Sequence, residues 1–171
     1  ITIQGGAGMG DISAPIIFEL DYSSEGMQDF NSKVQENVGK DAKYLLHYPT
    51  VYIVKDENKE KQFSVYIGET SDIKKRTIQH LTVDPKSRTD WKNLSNSNSS
   101  KLYVIGHDQF NKSLTLDIEN KLMLYMSSIE NVDAVYNRRT NQQNDYFTSH
   151  EVDNIFSKVW RGLQKKNKEL F

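Results

Sequence analysis

Five side chains in this sequence stand at spacings that allow them to act together on one bond. Tyr52 closes the run Thr50-Val51-Tyr52, Tyr66 opens the run Tyr66-Ile67-Gly68, Arg76 and His80 follow at i and i+4, and Glu119 lies further along. Breaking a phosphodiester requires an activated water, neutralisation of charge at a pentacoordinate phosphorus and help for the leaving oxygen. A tyrosine, an arginine, a histidine and a carboxylate supply those roles. Arg76 would hold two phosphate oxygens in its planar fork, which a lysine cannot do. Glu119 has no Lys or Arg at i+3 or i+4, so no helical ion pair accounts for it. One carboxylate suffices for a hard cation such as Mg²⁺ or Mn²⁺, which retains several waters.

The elements that must position these groups are legible from periodicity. Thr50 to Val54 and Phe63 to Gly68 are β-branched and aromatic runs separated by the polar Asp56 to Glu60, the pattern of a β-hairpin. Ser71 or Asp72 caps a helix to about Leu81, with Ile73, Thr77 and Leu81 on one face and Arg76 and His80 on another, which would look at the hairpin that carries Tyr52 and Tyr66. Thr82 to Ser100 is polar and long enough for a mobile or functional loop. Leu102 to Gly106 reads as a third strand, Ser113 to Ser128 as a helix and Ser149 to Leu170 as a terminal helix, whereas Asn131 to Tyr136 is ambiguous. Before Pro49, Ile16 to Leu20 reads as a short strand and Ser24 to Leu46 as mostly helical with a break at Gly39. The fold class is α/β (α+β): a three-stranded antiparallel sheet flanked by helices. Residues 1–48 form an N-terminal extension, 49–145 the core and 146–171 a C-terminal helix. Gly5-Gly6-Ala7-Gly8-Met9-Gly10 lacks the Lys-Ser/Thr of a phosphate-binding loop and reads as a flexible terminus or a cloning remnant.

The 171 residues, 36% hydrophobic, suit one domain. There are no cysteines, so thiolate metal sites and a cysteine nucleophile are excluded, and a reducing, cytoplasmic setting is expected. No apolar run approaches a membrane span, and no nucleophile elbow or His-Glu-x-x-His is present. The net charge of −1 argues against bulk electrostatic capture of nucleic acid. Its distribution is uneven: residues 1–48 carry seven acidic and three basic side chains, and residues 49–171 carry sixteen and nineteen. Basic clusters occur at Lys74-Lys75-Arg76, at Lys86, Arg88 and Lys92, and at Arg138-Arg139.

The two triplets, Arg76 eight positions after Gly68, His80 and the later Glu119 resemble the GIY-YIG nuclease superfamily over residues 49 to 140. Thr50 stands where that family has its first glycine. The resemblance implies a divalent-metal-dependent endonuclease, with DNA favoured over RNA, in which a tyrosine deprotonates the attacking water; Tyr52 is the first choice and Tyr66 would orient phosphate or water. An asparagine closing the site would be Asn137, with Asn141 and Asn144 as alternatives. Gly68, Lys74, Lys75, Trp91, Asn137, Arg138 and Arg139 are the expected nucleic-acid contacts, Trp91 by stacking on a base unless it is buried. The chain also resembles the N-terminal module of bacterial DUF2075/Schlafen-like proteins, which implies a helicase-like ATPase following the C-terminal helix. Two readings compete: a module of this fold that binds nucleic acid without cutting it, and an α/β protein-interaction domain.

Overall fold

Alternation along the central strands buries both faces of one sheet. Val51, Ile53, Val65, Ile67, Tyr103 and Ile105 point to one side, while Tyr52, Val54, Tyr66, Leu102 and Val104 point to the other. A two-sided core of this kind requires helices on both faces. The computed structural model describes residues 12–136, apart from 96 and 98, and residues 149–171. The glycine run at 5–10 and Asn137, Arg138, Arg139, Asn141 and Asn144 lie outside the described residues.

The strands are β1 (Ile16–Asp21), β2 (Thr50–Glu57), β3 (Phe63–Thr70), β4 (Lys101–Gly106) and β5 (Val132–Val135). They are ordered β1-β4-β2-β3-β5, all neighbours antiparallel except β3 and β5. The expected three-stranded sheet is thus a five-stranded mixed one. β1, placed by sequence in an extension, pairs with β4 along its whole length. The ambiguous 131–136 segment supplies β5, which pairs with β3 only at Phe63, Ser64 and Val65. Among the described residues, the β3 edge beyond Tyr66 therefore has no neighbouring strand.

The hairpin between β2 and β3 absorbs its long spacer through Asn58, whose Oδ1 accepts from the Glu60 and Gln62 amides at 2.9 Å each. One face of the sheet carries α6 (Lys112–Met126) and α7 (Ser149–Lys166), through Ile118, Leu122, Val159 and Leu163 among others. The other carries α1 (Ser24–Gln28), α2 (Phe30–Val38), a 3₁₀ turn, α3 (Lys43–Leu46), α4 (Ile73–Thr82) and α5 (Thr89–Ser95). The break expected at Gly39 is present, with φ at +67°. No helix among the described residues is long and apolar enough to cross a membrane.

The segment expected to be a mobile loop, Thr82 to Ser100, holds a 3₁₀ turn (Asp84–Lys86) and α5. Two forces order it. Trp91 and Leu94 are fully buried, and the hydroxyls of Ser97, Ser99 and Ser100 converge on Asp56 Oδ1 of β2. Polar composition hid a helix whose apolar content is just those two residues.

Candidate active site

Strand period and register bring the tyrosines together. Tyr52 lies opposite Gly68, and Val54 opposite Tyr66, so both phenols stand on the same face and stack with centroids 6.2 Å apart and planes at 18°. Gly68 makes this possible. A Cβ built there would lie 2.4 Å from both Cζ and Oη of Tyr52. The Tyr52 ring therefore lies across the space that a side chain at 68 would fill.

Above the tyrosines, α4 starts at Asp72, whose side chain accepts from the Lys75 amide at 2.9 Å. Its buried face is Ile73, Thr77 and His80 rather than Ile73, Thr77 and Leu81. Arg76 and His80 both turn toward the hairpin, where each meets the Tyr52 hydroxyl; His80 is fully buried there, whereas Leu81 is only partly covered. The site selects the histidine because Tyr52 Oη offers it a partner at 2.8 Å from Nε2.

Behind His80, Nδ1 is 2.5 Å from Asp84 Oδ2. An ionised carboxylate only accepts, so Nδ1–H donates to Asp84 and Nε2 of the neutral ring accepts from the Tyr52 hydroxyl. Burial pushes the His80 pKa down to about 4, against the opposing hydrogen bond to Asp84. Burial likewise drives the Tyr52 pKa far above its ordinary value, the neighbouring Tyr66 adds to this, and Arg76 opposes it through a hydrogen bond and its charge. Arg76 Nη1 also donates to Gln79 Oε1 at 3.1 Å, and Gln79 Nε2 reaches Asp84 Oδ1 at 3.4 Å. A circuit results, from Arg76 through Gln79, Asp84, His80 and Tyr52 back to Arg76. Sequence reasoning missed Gln79 and Asp84; the i, i+4 spacing of His80 and Asp84 was the available signal.

Trp91 is stacked on His80, with centroids 3.6 Å apart and planes at 15°, and has no exposed surface. A side chain enclosed in this way cannot serve as a platform for a base, which corrects the stacking role expected of it. It is the wall that keeps water from the imidazole. Of the expected nucleic-acid contacts, Lys75 is exposed, and Lys74 borders a groove with Met27, Gln28 and Ile78.

Glu119 comes from α6, on the opposite face of the sheet, and is partly exposed. Its charge nevertheless acts on the Tyr52 hydroxyl. Among the described residues no group of three or more His, Asp or Glu side chains is arranged to hold a metal ion. A single partly exposed carboxylate such as Glu119 suits a hard cation that keeps most of its waters.

Residues 48–126 match the family model of the GIY-YIG catalytic domain. That match speaks for the nuclease-like segment and does not extend to helicase-like proteins. No curated protein and no solved structure gives a significant match. The segment 48–126 is thus similar to a GIY-YIG catalytic domain, a module of nuclease type.

Proposed function

We propose that this domain is a divalent-metal-dependent endonuclease that hydrolyses phosphodiester bonds, with DNA the favoured substrate. The observation that carries the reading is the Tyr52 hydroxyl, set between the Arg76 guanidinium and His80 Nε2 with Asp84 behind the imidazole. A buried phenol kept only for packing needs one hydrogen-bond partner, not a guanidinium together with an imidazole backed by a carboxylate. A phenol that must give up a proton is served by all three.

In this reading the Tyr52 proton moves to Nε2 of His80, and the resulting imidazolium is held by Asp84. The phenolate, beside the charged Arg76, takes a proton from a water molecule, and the hydroxide so formed attacks phosphorus. The bond from phosphorus to the leaving oxygen breaks, that oxygen takes up a proton from solvent, and His80 releases its proton to solvent, which restores the site. Arg76 offsets charge on the phosphoryl oxygens, and Tyr66, stacked on Tyr52, orients phosphate or water. Glu119 would hold a Mg²⁺ or Mn²⁺ ion, which when bound supplies charge neutralisation and lowers the pKa of nearby water or phenol. His80 is neutral at pH 7 and can accept, but burial, which lowers its pKa and raises that of Tyr52, opposes the transfer, so the step requires the phenol to be opened to solvent first.

One observation favours a second reading. Tyr52 is only 1% exposed, which suits a domain that binds nucleic acid without cutting it unless the substrate opens the β3 edge. The deciding experiment incubates the protein at low salt with labelled single-stranded, duplex and branched DNA and with RNA, in Mg²⁺, Mn²⁺ or EDTA, beside Glu119→Ala. Metal-dependent cleavage abolished in Glu119→Ala is the expected result. Binding without cleavage under every condition establishes the second reading instead.

A further inference from the structure

Arg88 belongs to the connection between the 3₁₀ turn and α5, and the reaction described above leaves it without a task. Its guanidinium lies 5.7 Å over the Tyr66 ring and 6.0 Å over the Trp91 ring. Nη2 is 2.5 Å from Asp90 Oδ2, so one arm of the fork is fixed. The Asp90 side chain is itself held, because Oδ1 accepts from the Trp91 amide at 3.0 Å. The Arg88 side chain still has 40% of its surface in solvent. A guanidinium has five N–H donors, and Asp90 takes only part of them. Burial works against its charge, yet Asp90 and the Tyr66 hydroxyl more than offset this, so Arg88 remains a cation.

The placement mirrors that of Arg76. Each arginine lies against one of the two stacked tyrosines, Arg76 at Tyr52 and Arg88 at Tyr66. Of the three arginines among the described residues, only Arg161 is elsewhere, exposed on α7 across the sheet. An arginine that served only to pack would not need a fixed fork with donors left in solvent. A phosphate ligand needs both, since pre-organisation lowers the entropy lost on binding.

We propose that Arg88 is a second phosphate-binding cation of the nucleic-acid site, holding a backbone phosphate of the strand beside the one held by Arg76. The proposal rests on the nucleic-acid reading above but not on cleavage. Two fixed cations along a pair of stacked rings define the direction in which a strand crosses the site.

Binding of fluorescently labelled single-stranded and duplex DNA, in EDTA and over a range of salt, tests this without catalysis. Each phosphate contact contributes a slope of about −0.9 in log K against log salt for duplex, or about −0.7 for a single strand. Arg88→Gln keeps the aliphatic stem and a donor, and should make the slope shallower by about that amount. Arg88→Lys should retain the slope, and Arg161→Gln should leave it unchanged. Arg88→Gln/Asp90→Asn separates a lost contact from an unmasked Asp90: the slope stays shallow if Arg88 touches phosphate and recovers if it does not. An unchanged slope in a folded Arg88→Gln protein, recovery in the double variant, or absence of any DNA binding by the parent protein overturns the proposal. Binding with the expected slope change but without cleavage in Mg²⁺ sinks the nuclease reading and leaves this one standing.

Discussion

Gly68→Ala tests whether Tyr52 is held in one position for a reason. The new methyl would lie 2.4 Å from Tyr52 Cζ and Oη, whereas carbon atoms in contact settle at about 3.5–4.0 Å. The ring must therefore retreat by roughly 1 Å. It has nowhere easy to go, since it is buried, stacked on Tyr66 and hydrogen-bonded to His80. Overpacking of this kind costs about 1–3 kcal/mol, and at roughly 2–4 °C per kcal/mol for a domain of this size the melting temperature should fall by about 2–12 °C. A displacement of about 1 Å at a reacting group should also lower cleavage by about a hundredfold. Thermal and urea unfolding of Gly68→Ala, Tyr52→Leu and the double variant form a cycle that needs no substrate. With the ring gone the alanine should be tolerated, giving a coupling of about 1 kcal/mol or more, beyond the ~0.5 kcal/mol scatter of independent sites. Gly162→Ala is the comparison, because its Cβ would meet only the flexible end of Ile17 at 2.7 Å. Strictly additive effects, or full activity in Gly68→Ala, would refute the idea that Gly68 exists to seat the phenol.

Stability should depend on pH through His80. Its folded pKa of about 4 lies below the ordinary 6.5, so the unfolded chain binds more protons between those values and stability falls as pH drops from about 6.5 toward 4. The loss should approach about 3 kcal/mol at most, and the difference in urea midpoint between the parent protein and His80→Gln should shrink across that window; a constant difference would show that His80 is not held neutral. Asp84→Asn leaves the volume unchanged but removes the charge that stabilises the imidazolium and lets the amide hold the imidazole in the wrong tautomer, and kcat should fall by about a hundredfold with KM little altered; an unaffected kcat would remove His80 and Asp84 from the proton path. Glu119→Gln should abolish Mn²⁺ binding followed by electron paramagnetic resonance while the melting temperature holds. Retained Mn²⁺ affinity would place the ion elsewhere.

Much of the site is local and therefore legible in the sequence. Strand alternation and hairpin pairing set Tyr52 and Tyr66 on one face, and Asp72 announces the start of α4. These follow from periods of 2 and 3.6 and from capping, which neighbouring residues fix among themselves. Local pattern ran out at depth rather than direction. The i, i+4 spacing turns Arg76 and His80 toward the hairpin, but only the Tyr52 hydroxyl and the Trp91 ring, from distant segments, show that the histidine is enclosed. Trp91 and Arg88 sit in a stretch whose polar composition reads as loop, and only its packing on the sheet shows that one is a wall and the other a neighbour of Tyr66. Ile16 to Leu20 reads as a strand in the sequence, but its place beside β4, and the strand character of 132–135, were not legible, because an edge strand's place depends on the strand it joins. The sequence by itself determined which groups could do the chemistry. Tertiary structure decided which of them meet, because His80 reaches the Tyr52 phenol only through the packing of α4 and α5 on the sheet, while Glu119 stands on α6 across it.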